Sequence, residues 1–195
     1  MEAIEAILTR RSTRSYKPDP VEQEKLDVIL AAARQAPSGG NNQTNHFLVI
    51  RNQEVLRELI RLAEAAFAEM ELTEDLYPSL KRSIAASKKG GYVFSYNAPI
   101  LIVVANRKDY GNNMADCACA IENMMVAANA LGLGSCWINQ LKWLNENPQL
   151  TAYLSALGLR EDERVYGSVV IGYPASGLPN RRLMEQKGNE VTFID

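Results

Sequence analysis

The run Pro99-Ile100-Leu101-Ile102-Val103-Val104-Ala105 constrains this chain more than any other segment. It is apolar at every position and rich in branched side chains. It is far too short to span a bilayer, and it reads as a central strand with both faces covered. Such a strand needs packed layers on each side of a sheet.

The flanking segments supply those layers. Ala3, Ile4, Ile7 and Leu8 give a short helical spacing over residues 3–9. Leu26, Ile29, Leu30 and Ala33 follow the 3.6-residue period, so a helix is expected over 20–36. Asp19 is its expected cap, Pro20 its first residue and Glu22 the capping-box acid. Leu56, Leu59, Ile60, Ala63, Phe67 and Met70 repeat at helical spacing, and 146–157 forms another helix. Residues 114–131 are apolar nearly all round, which predicts a helix buried on most sides, more than one face of a single domain needs. Shorter strands are expected at 47–50, 135–138, 165–171 and 191–194. Residues 71–97 give helical pieces, Pro78 and a Lys88-Lys89-Gly90-Gly91 break. Without a strict strand–helix alternation, the pattern predicts an α+β fold with helices around one sheet.

Composition narrows function. The 195 residues are 47% apolar and 23% charged, which fits one domain over 1–195. A net charge of −2 supplies no general field for nucleic acid or anionic membranes. Three cysteines do not make a secreted disulfide framework. Glu2 and Glu5 near the start, without a long apolar run, do not read as a secretory signal; a cytoplasmic location is expected. His46 is the only histidine, so no site with two or three histidine ligands exists and no metal is expected. Cys117 and Cys119 point to different faces of one helix, and Cys136 has no evident base; all three read as packing residues. Gly132-Leu133-Gly134 is a helix ending rather than a dinucleotide fingerprint, and no phosphate-loop lysine motif occurs.

Three polar groups could carry chemistry. Arg10, Arg11, Arg14 and Lys17 place four cations in eight positions with no acid among them. They suit either the end of the first helix or an anion, to which Ser12 would add a hydroxyl. The loop Pro37-Ser38-Gly39-Gly40-Asn41-Asn42-Gln43 combines small residues with amides: a polar turn, or a ligand-facing backbone. Arg181-Arg182 is a basic pair after Gly172-Tyr173-Pro174, readable as a solvated tail or a second anion contact.

In order along the chain, these groups, the Asn97-Ala98-Pro99 entry and the Gly132–Ile138 stretch resemble the FMN-dependent nitroreductase family. The resemblance covers nearly the whole chain. It implies a central, mostly antiparallel sheet surrounded by helices in an intertwined homodimer, with one FMN per subunit at the interface. Arg10, Arg11 and Ser12 would hold the FMN phosphate together with Arg181 or Arg182. Arg14 would face the N1/O2 edge of the ring. Pro37, Ser38, Gly39, Asn41 and Gln43 would lie beside the partner subunit's flavin, and the backbone of Ile138, Asn139 and Gln140 would face N5. The implied activity is NADH- or NADPH-driven, ping-pong, two-electron reduction of nitroaromatics, quinones or similar small acceptors, with no catalytic side chain because the flavin does the chemistry. Reductive dehalogenation, flavin consumption, or a non-catalytic FMN-binding role are the alternatives. The usual Pro-Trp after the glutamine is replaced by Thr44-Asn45. Residues 71–97 lie in the family's variable, substrate-covering region.

Overall fold

The computed structural model describes residues 2–177 and 188–194. Four strands form one antiparallel sheet: β1 (His46–Ile50), β2 (Ile100–Arg107), β3 (Gly134–Ile138) and β4 (Glu163–Gly172), in the order β1-β2-β4-β3. Seven α-helices surround them in the described residues: α1 (Ala3–Thr9), α2 (Gln23–Arg34), α3 (Gln53–Glu69), α4 (Pro78–Lys89), α5 (Asn113–Ala130), α6 (Gln140–Trp143) and α7 (Pro148–Ala156). The α+β expectation holds, and β2 lies inside the sheet as its sequence requires.

Side-chain alternation along β2 divides the core in two. Leu101, Val103 and Ala105 pack with α3, α4 and α7. Ile100, Ile102 and Val104 pack with α2 and α5 on the other face. Burying one such aliphatic side chain contributes about 1.5–3 kcal/mol, so β2 is a principal source of stability.

Four expectations are corrected. Helix α2 begins at Gln23 rather than at residue 20, and its cap residue Glu22 makes no side-chain capping bond. Val21 is instead buried in the core, and Glu22 accepts from the Tyr173 hydroxyl, so tertiary contacts override the capping signal. The breadth of apolar surface on α5 is satisfied within this chain, by the sheet on one side and α1 and α2 on the other. Asn129 Nδ2 fastens α1 to it, donating to Ala6 O at 2.8 Å and Thr9 Oγ1 at 3.0 Å. The short helix α6 has too few residues to show periodicity and was not foreseen. Finally, Val191–Ile194 forms no strand, and Val191, Phe193 and Ile194 are exposed; this apolar segment meets no sheet edge of its own chain.

Candidate functional site

The basic segment is clamped along the edge of the sheet. It leaves α1 at Arg10 in an extended conformation. Ser12 then bridges Ser135 of β3 in parallel, and Thr13 N donates to Ser135 O at 2.8 Å. This close approach depends on Gly134, where a Cβ would stand 2.5 Å from Thr13 Oγ1. At its far end Tyr16 bridges Pro174, and Lys17 N donates to Tyr173 O at 2.8 Å. The segment therefore runs from β3 to the turn that follows β4.

Two cavities meet at this clamp, and Arg14 lines both. The smaller, about 280 Å³, is bounded by Arg11, Ser12, Ser15, Ser176 and Gly177 as well as Arg14. It gathers hydroxyls and guanidinium groups, the donor set that suits an anion. Arg11 also donates to Leu8 O at 3.1 Å and Arg10 O at 2.7 Å, so it serves the end of α1 at the same time. Arg10 lines neither cavity; it pairs with Glu122 of α5 at 3.5 Å. Arg181 and Arg182 lie outside the described residues.

The larger cavity is about 530 Å³. Cys136, Trp137, Asn139 and Gln140 come from β3 and its exit, while Ile138 is buried beneath them. Burial raises the Cys136 thiol pKa, against the opposing pull of Arg14, Ser12 and Arg10, so it is a packing residue and not a poised thiolate. Trp137 Nε1 donates to Asn139 Oδ1 at 2.8 Å. Gln140 Nε2 donates to the Tyr92 hydroxyl at 2.8 Å and reaches Ser83 Oγ at 3.4 Å. Gln140 Oε1 is buried without a hydrogen-bond partner among the described residues.

Helix α4 supplies a further part of the lining, through Ser79, Arg82 and Ser83. Sequence reasoning missed these residues because α4 buries Ser83, Ile84 and Ser87, a face with one large apolar side chain and hence no readable stripe. Pro78, the first residue of α4, was the available signal.

The amide loop stands apart. Its backbone is left-handed at Gly40, Asn41 and Gln43, with φ of 58°, 54° and 51°. That strain is held by Gln43 N donating to Ser38 Oγ at 3.0 Å and by Gly39 N donating to the Asp116 carboxylate at 3.1 Å. Ser38 and Gln43 line a hollow of about 240 Å³ with Arg34 and Phe47. It shares no lining residue with either cavity beside Arg14. Within one chain the loop and the basic segment are thus not brought together.

His46 is structural: its Nδ1 lies 2.8 Å from Glu163 Oε2, a carboxylate also bound by Arg160. Cys117 is likewise inert, its thiol pushed up to about 12 chiefly by burial.

Fold and site together define an α+β protein with an anion cradle joined to an aromatic and amide-lined cavity. The chain belongs to the Nitroreductase family, whose model matches residues 7–173. A relative in Archaeoglobus fulgidus, provisionally named NADH dehydrogenase/NAD(P)H nitroreductase, is 32% identical over 178 residues, covering 89% of this chain and 86% of its own. The crystal structure of a nitroreductase with bound FMN from Bacteroides fragilis superposes with a TM-score of 0.88 at 37% identity, covering 100% of both chains. A second FMN-bound nitroreductase, from Desulfitobacterium hafniense, gives 0.82 at 25% identity, again over 100% of both. In the described residues no helix is long and apolar enough to cross a membrane.

Proposed function

We propose that this chain binds FMN and uses NADH or NADPH to reduce nitroaromatics, quinones or similar small acceptors in a ping-pong cycle. The observation that carries the reading is Arg14, which lines both an anion cradle and an aromatic, amide-lined cavity. FMN has the matching parts, a phosphate and a flat ring bearing hydrogen-bond donors and acceptors, and FMN-bound relatives share the fold. When bound, the flavin supplies the hydride-transfer chemistry; no side-chain nucleophile is needed.

The chain's own residues bind, orient and exclude water. Arg11 and Ser12 would hold the phosphate, joined by Arg181 or Arg182 and by the positive field of Arg10. Arg14 would place a fixed cation beside the ring edge that gains negative charge on reduction. Gln140 would border the ring through its place in the cavity lining. The backbone of Ile138, Asn139 and Gln140 would border the reacting face. Trp137, Trp143 and Tyr96 line the cavity and would shield a bound ring from water.

The active unit in this reading is a homodimer. Pro37, Ser38, Gly39, Asn41 and Gln43 would complete the partner's site, since they stand outside their own. Ile4, Ile7 and Leu8 of α1 and the Val191–Ile194 segment are exposed apolar surface that a second copy would cover.

The first test is the absorption spectrum of the purified protein, with identification of any released flavin. NADH and NADPH oxidation is then followed with and without 1,4-benzoquinone. A yellow protein that releases FMN and shows quinone-dependent oxidation is expected. A colourless protein that fails to take up FMN at micromolar concentration refutes the proposal. A yellow protein that oxidises neither nucleotide is a binding module rather than an enzyme.

A further inference from the structure

We propose that the acceptor taken by the larger cavity is an aromatic compound carrying an anionic group, and that Arg82 determines this specificity. The inference deepens the flavin reading, and turnover rests on it. The anion preference is read from Arg82 and its neighbours in the cavity lining and is tested separately.

Helix α4 is unusual in charge. Over Pro78–Lys89 it carries Lys81, Arg82, Lys88 and Lys89 and no acid, in a chain whose net charge is −2. Three of these cations are accounted for. Lys81 pairs with Glu74 at 3.5 Å. Lys88 and Lys89 occupy the last turn, where cations complement the helix dipole. Arg82 is not. Its Nη2 makes a 3.3 Å bond to Ser79 Oγ, and no carboxylate stands within ion-pair reach among the described residues. Arg61, Arg107, Arg160 and Arg164 by contrast each pair with an acid, while Arg34, Arg51 and Arg57, like Arg82, have no ion pair among the described residues but line no part of this cavity.

Arg82 lines the same cavity as Arg14, and these two are the charged residues of its lining. With Arg14 assigned to the flavin, Arg82 is the cation left for a substrate. Ser79 adds a hydroxyl donor beside it, so a carboxylate or similar oxyanion finds both a charge and a neutral bond. Aromatic rings add to the lining: Tyr92, Tyr96 and Trp143. Trp143 is braced by Tyr77, with ring centroids 6.4 Å apart, and Tyr92 is fixed through its hydroxyl by Ser83 and Gln140. Held rings of this kind suit an aromatic body, and the guanidinium suits an anionic substituent at its outer end.

The nicotinamide donor also carries anions, its phosphates, so the experiment separates donor from acceptor. The chain's two tryptophans, Trp137 and Trp143, both line the cavity, which makes intrinsic fluorescence a direct reporter of binding. The FMN-saturated protein is titrated with 4-nitrobenzoate and with its neutral methyl ester. Arg82→Gln, Arg82→Lys and the control Lys88→Gln are titrated alongside. The wild type is expected to prefer the acid. Arg82→Gln should reduce the acid-to-ester affinity ratio about five- to tenfold, somewhat less than a shielded charged hydrogen bond because Arg82 is exposed. Arg82→Lys should retain part of the ratio, and Lys88→Gln all of it. KM ratios in steady-state turnover should follow.

Equal binding of acid and ester by the wild type overturns the proposal, as does a ratio that Arg82→Gln leaves in place. If Arg82→Gln instead changes the NADPH-to-NADH KM ratio and not the acid-to-ester ratio, the contact belongs to the donor and the proposal fails. A protein without bound flavin or turnover, but with the acid preference intact in tryptophan quenching, would sink the flavin reading and leave the anion contact standing.

Discussion

Gly134→Ala is the sharpest probe of how the basic segment is held. A Cβ there would stand 2.5 Å from Thr13 Oγ1 and 2.8 Å from Thr13 Cβ and Cγ2. Bringing these contacts to an ordinary 3.4 Å needs a movement of roughly 0.6–0.9 Å. Neither side yields easily, because Ser135 is buried in the strand pairing with β4 and Thr13 N is bonded to its carbonyl. Overpacking of this kind costs about 1–3 kcal/mol. For a chain of this size that lowers the melting temperature by about 2–12 °C. The segment being displaced carries Ser12 and Arg14, so FMN affinity should fall together with stability. Thr13→Ala removes Oγ1 and Cγ2 but keeps Cβ, so the double variant should recover part of the loss. A double-mutant cycle by thermal melting and FMN titration measures that coupling. Gly134→Ala with wild-type melting and FMN binding, or a loss that Thr13→Ala leaves untouched, would refute the clamp.

Other consequences concern charge and subunit exchange. Arg14→Ala should weaken FMN by about 1.5 kcal/mol, low in the range for an exposed charged bond, and lower the flavin midpoint potential; an unchanged potential with FMN bound contradicts the ring-edge role. Mixed dimers of Arg14→Ala with the loop-disrupting Gly39→Val should regain about half of wild-type activity, because both lesions fall in one of the two sites; no regain after subunit exchange rejects a shared site. Burial raises the Glu163 pKa, but bonds from Arg160 and His46 outweigh it and the net shift is downward. Its contribution to stability is therefore present above the ordinary carboxylate range and lost as pH falls through the lower folded value, so the melting difference between wild type and Glu163→Gln should shrink in acid. Asp116→Ala should loosen the amide loop, seen as faster amide exchange at Gly39, while Asn45 keeps its bond to the residue 116 carbonyl.

Legibility followed the size of the side chains that make each element. β2 was readable because every residue from Ile100 to Ala105 is apolar and buried. α3 was readable because Leu56, Leu59, Ala63 and Phe67 recur on one buried face. α4 was not, since serines pack where a stripe of leucines would otherwise show. The start of α2 misled because Asp19, Pro20 and Glu22 form a plausible local cap, whereas Val21 gains more from the core. Of the candidate site, Arg14, Asn139 and Gln140 do converge on one cavity. Arg10 does not, because Glu122 on the adjacent helix competes for it. The α4 wall was hidden for the same reason as α4 itself.

The replacement of Pro-Trp by Thr44-Asn45 also has a physical answer in the structure. Asn45 Nδ2 donates to Asp116 O at 3.0 Å, and its Oδ1 accepts from Asn106 Nδ2 at 2.8 Å and from Cys117 Sγ at 3.2 Å. A polar peg thus ties the entry of β1 to β2 and to the first turn of α5. The other end of the preceding loop is tied to the same residue, through Gly39 N and the Asp116 carboxylate. Asp116 is itself buried, so both ends of the loop are fastened to one rigid point. Between them the left-handed residues Gly40, Asn41 and Gln43 have little freedom to swing toward Arg14. A loop held this firmly away from its own chain's cavity can contribute to a flavin site only by standing beside another copy's. The anchoring on Asp116 therefore restricts any role of this loop in flavin binding to a site on another copy of the chain.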